Sequence, residues 1–402
     1  MAETLPAPIM LPTARPEGRP FDPPAELAEL RSRHPLSRIT YTDGHVGWLV
    51  TGHALTRAVV ADPRFSSRQE LMRLAVPRGG VTGPLPPAPP GMFIAADAPE
   101  HTRYRRLLTG KFTVRRMRAL SARVESVTAE RLDAMERQGP GADLVTAFAQ
   151  PVPALMICEL LGVPYEDHDR FERWAVLLSD GDADPQTVGE AANALGEYLH
   201  GLVLAKRAHP TDDLLGDLVD TDLTDGELTS IGVLLLGAGL DTTANMIALG
   251  TFALLTHPEQ LAALRAEPDL VDNAVEELLR YLTIAHTGAR TALEDVELGG
   301  HLIRAGDSVT LAAGAANRDP ERFPDPDTLD LRRAATGHLA LGHGIHQCLG
   351  QQLARVELRV ALPALFDRFP SLRLAVPAEE VPLRENSDIH GVHRLPVAWD
   401  EA

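Results

Sequence analysis

Cys348 is one of two cysteines in this chain of 402 residues, and it closes the run Gly342-His343-Gly344-Ile345-His346-Gln347-Cys348. Leu349 to Phe369, directly behind it, has the spacing of a long amphipathic helix. A thiolate at a helix N-terminus gains from the helix dipole and from free N–H groups aimed at the sulfur. A lone cysteine of this kind is either an inert buried thiol or a ligand to iron. The glycines ahead of it let the backbone pass close to a flat partner.

Other groups capable of chemistry recur along the chain. His101 and Arg105 are four residues apart behind Asp97-Ala98-Pro99-Glu100, a helix start, so they share a face. Together they could bind a carboxylate, or they could belong to a solvated basic face with Arg103 and Arg106. Thr224-Asp225-Gly226-Glu227 is a capping box that opens a helix running to about Thr256, ahead of His257-Pro258. In its middle stands Ala238-Gly239-Leu240-Asp241-Thr242-Thr243, a poor choice for a buried helix centre. A local kink with the threonine hydroxyl turned to a carbonyl accounts for it, as would a merely bent core helix. Glu277 and Arg280 form a carboxylate–guanidinium pair at i,i+3, which contributes little on a surface.

In order and spacing these segments resemble the cytochromes P-450. The cysteine loop matches F-G-x-G-x-H-x-C-x-G at Gly342, Gly344, His346, Cys348 and Gly350, with Leu341 in place of the family's Phe. The helix centre matches [AG]-G-x-[DE]-T-[TS], and E-x-x-R and H-x-x-x-R stand where the family has them. The resemblance implies haem b (iron protoporphyrin IX) with Cys348 as axial ligand. It implies that His101, Arg105, Arg290 and His346 hold the propionates. Ala238 and Gly239 would clear space for the haem face and O2, and Asp241 and Thr242 would handle protons. Glu277, Arg280 and a third member, Arg333, would brace the segment before the cysteine. Pro320-Glu321-Arg322-Phe323 comes too early for that role. The resemblance further assigns Phe93, Ile94, Leu234, Gly237, Ile284, His286, Ile389 and His390 to the substrate pocket.

The elements that must position these groups follow from composition and pattern. With 44% hydrophobic residues and no evident linker, residues 21–402 read as one large domain, preceded by a proline-rich arm, 1–20, expected to be disordered. The resemblance implies a mainly α triangular prism with a small β lobe and a long central helix over the haem. Helical spacing covers Ala25 to His34, and Val46 to Thr51 reads as a strand followed by a helix through Ala61. Residues 66–96 read as irregular. Helices fill 113–207, with breaks at Gly139 to Gly141, Pro164 and Asp180 to Pro185. Ala289 to Ala292 and Val296 to Ile303 read as strands with a Gly299-Gly300 turn, and Asn386 to His393 as a terminal hairpin. Cys158 reads as plain core.

The net charge of −18 argues against nucleic acid, and two cysteines argue against a disulfide framework. Neither a signal peptide nor a run of 18 apolar residues is expected, so the chain reads as a cytoplasmic monomer with no membrane anchor. The implied reaction inserts one oxygen atom from O2 into a C–H or C=C bond of a hydrophobic secondary metabolite, a polyketide or macrolide. Electrons would come from an iron–sulfur ferredoxin and an NAD(P)H ferredoxin reductase, docking near Arg106, Lys111, Arg115, Arg116 and Arg355. A peroxide-driven peroxygenase or a haem-based sensor is the alternative. The Asp241-Thr242 pair favours the monooxygenase.

Overall fold

The computed structural model describes residues 6–76, 85–112, 114–179, 184–385 and 387–400. Its helices are α1 (Ala25–Arg33), α2 (His53–Ala61), α3 (Glu100–Thr109), α4 (Val114–Gln138), α5 (Pro151–Leu161), α6 (His168–Ser179), α7 (Pro185–Ala208), α8 (Leu214–Leu218), α9 (Asp225–Thr256), α10 (Pro258–Ala266), α11 (Val271–Leu282), α12 (Ala313–Ala316) and α13 (Gln351–Arg368). Its strands are β1 (Ile9–Met10), β2 (Leu36–Thr40), β3 (Val46–Val50), β4 (Phe65–Ser66), β5 (Gly288–Ala292), β6 (Val296–Leu298), β7 (His301–Ile303), β8 (Ser308–Leu311), β9 (Arg373–Leu374) and β10 (Val397–Ala398).

The capping box forms as expected. Thr224 Oγ1 accepts the Glu227 N–H, and the Glu227 carboxylate accepts the Thr224 N–H, so two orphan donors are satisfied at the start of α9. The helix is unbroken over its 32 residues and packs against α5, α7 and α13. Among the described residues α9 is long and apolar enough to cross a membrane, but its C-terminal half, Thr243 to Leu254, is wholly buried in the main core, as in the central helix of a globular protein. The cysteine helix, α13, starts at Gln351 rather than Leu349 and continues through Pro363.

The β lobe is a sheet in the order β1-β2-β3-β8-β5-β4. β3 runs parallel to β8 (Trp48 opposite Val309), and β5 runs antiparallel to β8, which places Arg290 opposite Val309. β6 and β7 form the expected hairpin, and Gly299 and Gly300 turn it at φ +55 and +79, a region glycine occupies without strain. The arm expected to be disordered is instead docked from Ile9 onward. Ile9 and Met10 extend the edge of β2, Leu11 is buried, and Arg15 donates to the Asp22 carbonyl. An open strand edge and an apolar slot supply the partners that the arm's composition does not reveal.

The breaks at Gly139 to Gly141 and at Pro164 fall between helices. Residues 180–183 lie outside the described residues, as do 77–84 within the irregular stretch, while Asp184 caps α7 by accepting the Thr187 N–H.

Glu277 and Arg280 sit on α11 with 0% of either side chain exposed, joined at 2.7 Å and 2.8 Å. Arg280 also donates to the carbonyls of Asn317 and Pro326, and Glu277 accepts from Arg333 Nε and the Asp330 N–H. Arg333 is thus the third member, as expected. Removing one partner of a buried pair strands the other charge and typically costs about 3–5 kcal/mol. Arg280→Ala should therefore lower the unfolding free energy by that amount in a urea titration. Arg322→Ala, in the neighbouring Pro320–Phe323 string, should cost ~1 kcal/mol or less.

Candidate active site

Two conformational devices shape the cysteine loop. Gly342 and Gly344 adopt φ +71 and +73, and a Cβ on Gly344 would come within 2.6 Å of the Val60 carbonyl on α2. Gly344 is therefore required by packing against α2, whereas the sequence reading attributed it to a flat partner. The Cys348 N–H donates to the Leu341 carbonyl at 2.8 Å, closing the loop, and Leu341 is half-buried against the main core. Burial pushes the Cys348 thiol up, and the Gly350 N–H, Arg105 and Arg355 oppose that. Gly350 is the N-cap of α13, so the sulfur lies at a helix start.

Beside this loop the fold gathers His101 and Arg105 from α3, Arg290 from β5, and His346. The His101 and His346 rings are 4.2 Å apart. Arg105 donates to the Gln347 carbonyl at 2.6 Å and Arg290 to the Ala289 carbonyl at 2.7 Å. Among the described residues neither arginine has a carboxylate within ion-pair distance. Asp97, near Arg290, is engaged by Ser66 Oγ and the Ser67 N–H. His101 is 1% exposed, and among the described residues both its ring nitrogens lack a hydrogen-bond partner. Desolvation, then His101, Arg290 and Arg105, push His346 down to about 3, while burial and Arg105 push His101 down. Desolvated basic groups with no carboxylate at ion-pair distance are unfavourable in their charged forms, and two anionic carboxylates beside them would reverse the sign.

These residues fit haem b. A thiol at a helix start suits the iron, and basic groups without a carboxylate partner, among them the unpartnered His101 ring, suit the two propionates. On α9, Gly237 and Ala238 are exposed although Leu235, Leu236 and Leu240 beside them are buried, and a Cβ on Gly237 would meet nothing within 4 Å. A void therefore borders the middle of the central helix. Gly239 does not face it, because its missing Cβ would lie 2.6 Å from Ile157 on α5, so its smallness serves helix packing. Thr242 Oγ1 donates to the Ala238 carbonyl at 2.7 Å, as expected. Asp241 is held elsewhere. Arg384 Nη1 donates to both its carboxylate oxygens at 2.9 and 3.1 Å, and Asn245 Nδ2 donates to Oδ1 at 3.0 Å.

The expected pocket residues divide. Leu234 and Ile389 are half-buried and Ile94 is 55% exposed. Phe93 and Ile284 are buried in the main core. His286 and His390 are turned away from α9. His286 Nε2 bonds to the Ser387 carbonyl, and both rings are titrated down by burial and by Arg15 of the N-terminal arm, His286 to about 4. The cause is strand alternation. Ile389 bridges to Ala285, so its neighbour His390 faces the opposite side. Two expected docking cations are also committed, Arg116 to Asp217 at 2.8 Å and Arg355 to Glu276 at 3.0 Å. The side chain of Arg115 lies outside the described residues.

Three contributors escaped the sequence reading. Asn317 accepts the Leu339 N–H on Oδ1 and donates to Thr283 Oγ1, linking the Arg280 region to the cysteine segment. Arg384 has no motif. Asn245 carries a signal, its i,i+4 relation to Asp241.

A family model described as Cytochrome P450 matches residues 202–396. Cytochrome P450 105C1 of a Streptomyces species is 51% identical over 382 residues, 94% of this chain and 96% of that protein. Pentalenic acid synthase of Streptomyces avermitilis is 48% identical over 408 residues, 97% of this chain and 98% of that protein. The crystal structure of CYP105P1 in complex with filipin I superposes with a TM-score of 0.89 at 43% identity, covering 98% of this chain and 100% of that one. Cytochrome P450 MoxA from Nonomuraea recticatena gives 0.90 at 42%, covering 97% and 99%.

His101 offers a test of the basic cluster. A charge-assisted hydrogen bond is worth about 1.5–3 kcal/mol, and an orphaned buried donor costs about 1–3. His101→Phe should speed haem loss to a scavenging apoprotein by ~10-fold or more, while the haem-free form unfolds at the same temperature or higher. A destabilised haem-free form with unchanged haem retention would make His101 a core residue.

Proposed function

Because the chain belongs to the cytochrome P450 family, and is by that membership a monooxygenase with haem b, we propose that it oxidises a hydrophobic secondary metabolite, a polyketide or macrolide, by hydroxylation or epoxidation. The observation that carries this reading is the set of basic groups, buried His101 and half-buried Arg105, Arg290 and His346, with no ion-pair partner among the described residues, beside a thiol at a helix start. When bound, haem b supplies the insertion of one oxygen atom from O2 into a C–H or C=C bond, using two electrons and two protons.

The chain's own residues do the rest. Cys348 would hold the haem through its sulfur, with the Gly350 N–H favouring the anionic form against burial. Arg105 and Arg290 would donate guanidinium N–H groups to the propionates, and His101 and His346 would donate ring N–H groups. Gly237 and Ala238 leave space beside the helix, and Leu234, Ile94 and Ile389 offer an apolar boundary. An apolar boundary suits the substrate class, and relatives named pentalenic acid synthase and CYP105P1 in complex with filipin I support it. Thr242 would hold a proton donor over the haem, and Asp241 would exchange protons with it. A ferredoxin with its NAD(P)H reductase would deliver electrons in the cytoplasm, meeting a face on which Arg106 is exposed. The 21–402 segment acts as one domain in this reading.

Turnover distinguishes this from a peroxygenase or a sensor. NADPH, ferredoxin and reductase should support product formation with catalase present. Turnover with peroxide alone would favour the peroxygenase, and none under either condition the sensor. A positioned proton donor contributes on the order of 100- to 10,000-fold. Thr242→Ala should leave the substrate dissociation constant unchanged and NADPH consumption running while product falls and hydrogen peroxide rises. Parent-like coupling in that variant would assign the proton to another route.

A further inference from the structure

Asp241 and Thr242 are adjacent, yet they share no hydrogen bond. The hydroxyl is bonded to Ala238, and the carboxylate faces the terminal hairpin. Backbone contacts join the two sides of that hairpin. The Arg384 N–H donates to the Gly391 carbonyl, Leu383 bridges to Val392, and the His393 N–H donates to the Pro382 carbonyl. Its far end is sewn to the segment before β5. Ile389 bridges to Ala285, the His390 N–H donates to the Ile284 carbonyl at 2.7 Å, and Thr287 Oγ1 donates to Asp388 Oδ1 at 2.8 Å.

At its near end the hairpin is seated on the acid-bearing turn of α9. Arg384 holds both oxygens of Asp241, and the pair is mostly shielded, with side-chain exposures of 14% and 24%. Gly391 has no room for a Cβ, which would collide with Asn245 Oδ1 and lie 3.2 Å from Arg384 Cδ. Asn245 in turn donates to Asp241. A single strand pair therefore carries both the partner of the relay acid and, five residues on, Ile389 at the apolar boundary.

We propose that Arg384 is a positioning residue for the Asp241 carboxylate, and that the hairpin ties the placement of this acid to what lies against Ile389. This rests on the monooxygenase reading of the site. For the acid to reach Thr242 it must leave Arg384, and a hairpin displaced at its tip moves Arg384 with it. Occupancy of the pocket and release of the proton carrier then become one event, which limits proton delivery when no substrate is present.

The test uses the ferric holoenzyme and amide hydrogen exchange at the described residues of 382–393. Arg384→Gln and Asp241→Asn should each raise exchange several-fold, and the double variant should add nothing further, because both remove one contact. Arg384→Lys should restore part of the protection. Glu385→Gln, at an exposed neighbour, should change nothing. Filling the pocket with 4-phenylimidazole should raise exchange in the parent and have little further effect in Arg384→Gln. With ferredoxin and reductase but no substrate, Arg384→Gln should consume NADPH faster than the parent, and Arg384→Lys more slowly than Arg384→Gln. Additive effects in the double variant, or protection unchanged by Asp241→Asn, would overturn the proposal. If Arg384→Gln does not fold, Asp241→Asn and Arg384→Lys decide it by the same exchange measurement. Absence of the thiolate-type spectrum in the parent would instead defeat the monooxygenase reading, and the exchange data would still report whether Arg384 holds Asp241.

Discussion

The Glu277–Arg280 pair is fully removed from water, and a buried ion pair is tolerated only when its remaining donors and acceptors are also occupied. Here they are filled by the chain that precedes the cysteine. Arg280 gathers the carbonyls of Asn317, Pro326 and Thr328, and Glu277 gathers the Asp330 N–H and Arg333. Asn317 then passes this order on to the Leu339 N–H, nine residues before Cys348. A segment with almost no regular secondary structure is thus held by side chains of α11, and the cysteine loop inherits its position from them.

The site obeys the opposite electrostatic logic. Glu277 and Arg280 are partnered throughout, whereas His346 is opposed by His101, Arg290 and Arg105, and His101 by Arg105, and burial lowers the proton affinity of all four. In a chain with net charge −18, carboxylates were available to neutralise such a cluster. Nearby Asp97 is instead occupied by Ser66 and Ser67. In the proposed reading an anion completes this cluster, and a dianionic porphyrin edge would satisfy both arginines and both histidines. The same cations favour the thiolate, since Arg105 acts on Cys348 against the effect of burial.

Much of this is legible in the sequence where local spacing decides the outcome. His101 and Arg105 share a face because a helix repeats every 3.6 residues, and the capping box and E-x-x-R depend on neighbours three residues apart. The cysteine loop is legible through its glycines, although Gly344 and Gly239 turn out to accommodate Val60 and Ile157. What depends on distant chain is not legible. Arg384 meets Asp241 across 143 positions, and nothing in its own neighbourhood marks it. His390 looks equivalent to Ile389 until the bridge at Ala285 fixes which side each faces. The N-terminal arm has a disordered composition, and only the free edge of β2 explains why it docks.

The central claim is that Cys348 presents a thiolate to haem iron from a loop braced by α11. The absorption spectrum of the reduced, carbon monoxide-bound holoprotein tests it most directly. The parent should show a Soret band red-shifted from that of histidine-ligated haem, and Cys348→His should move it back to the histidine position. A red-shifted band that persists in Cys348→His, or one absent from the fully loaded parent, would contradict the assignment.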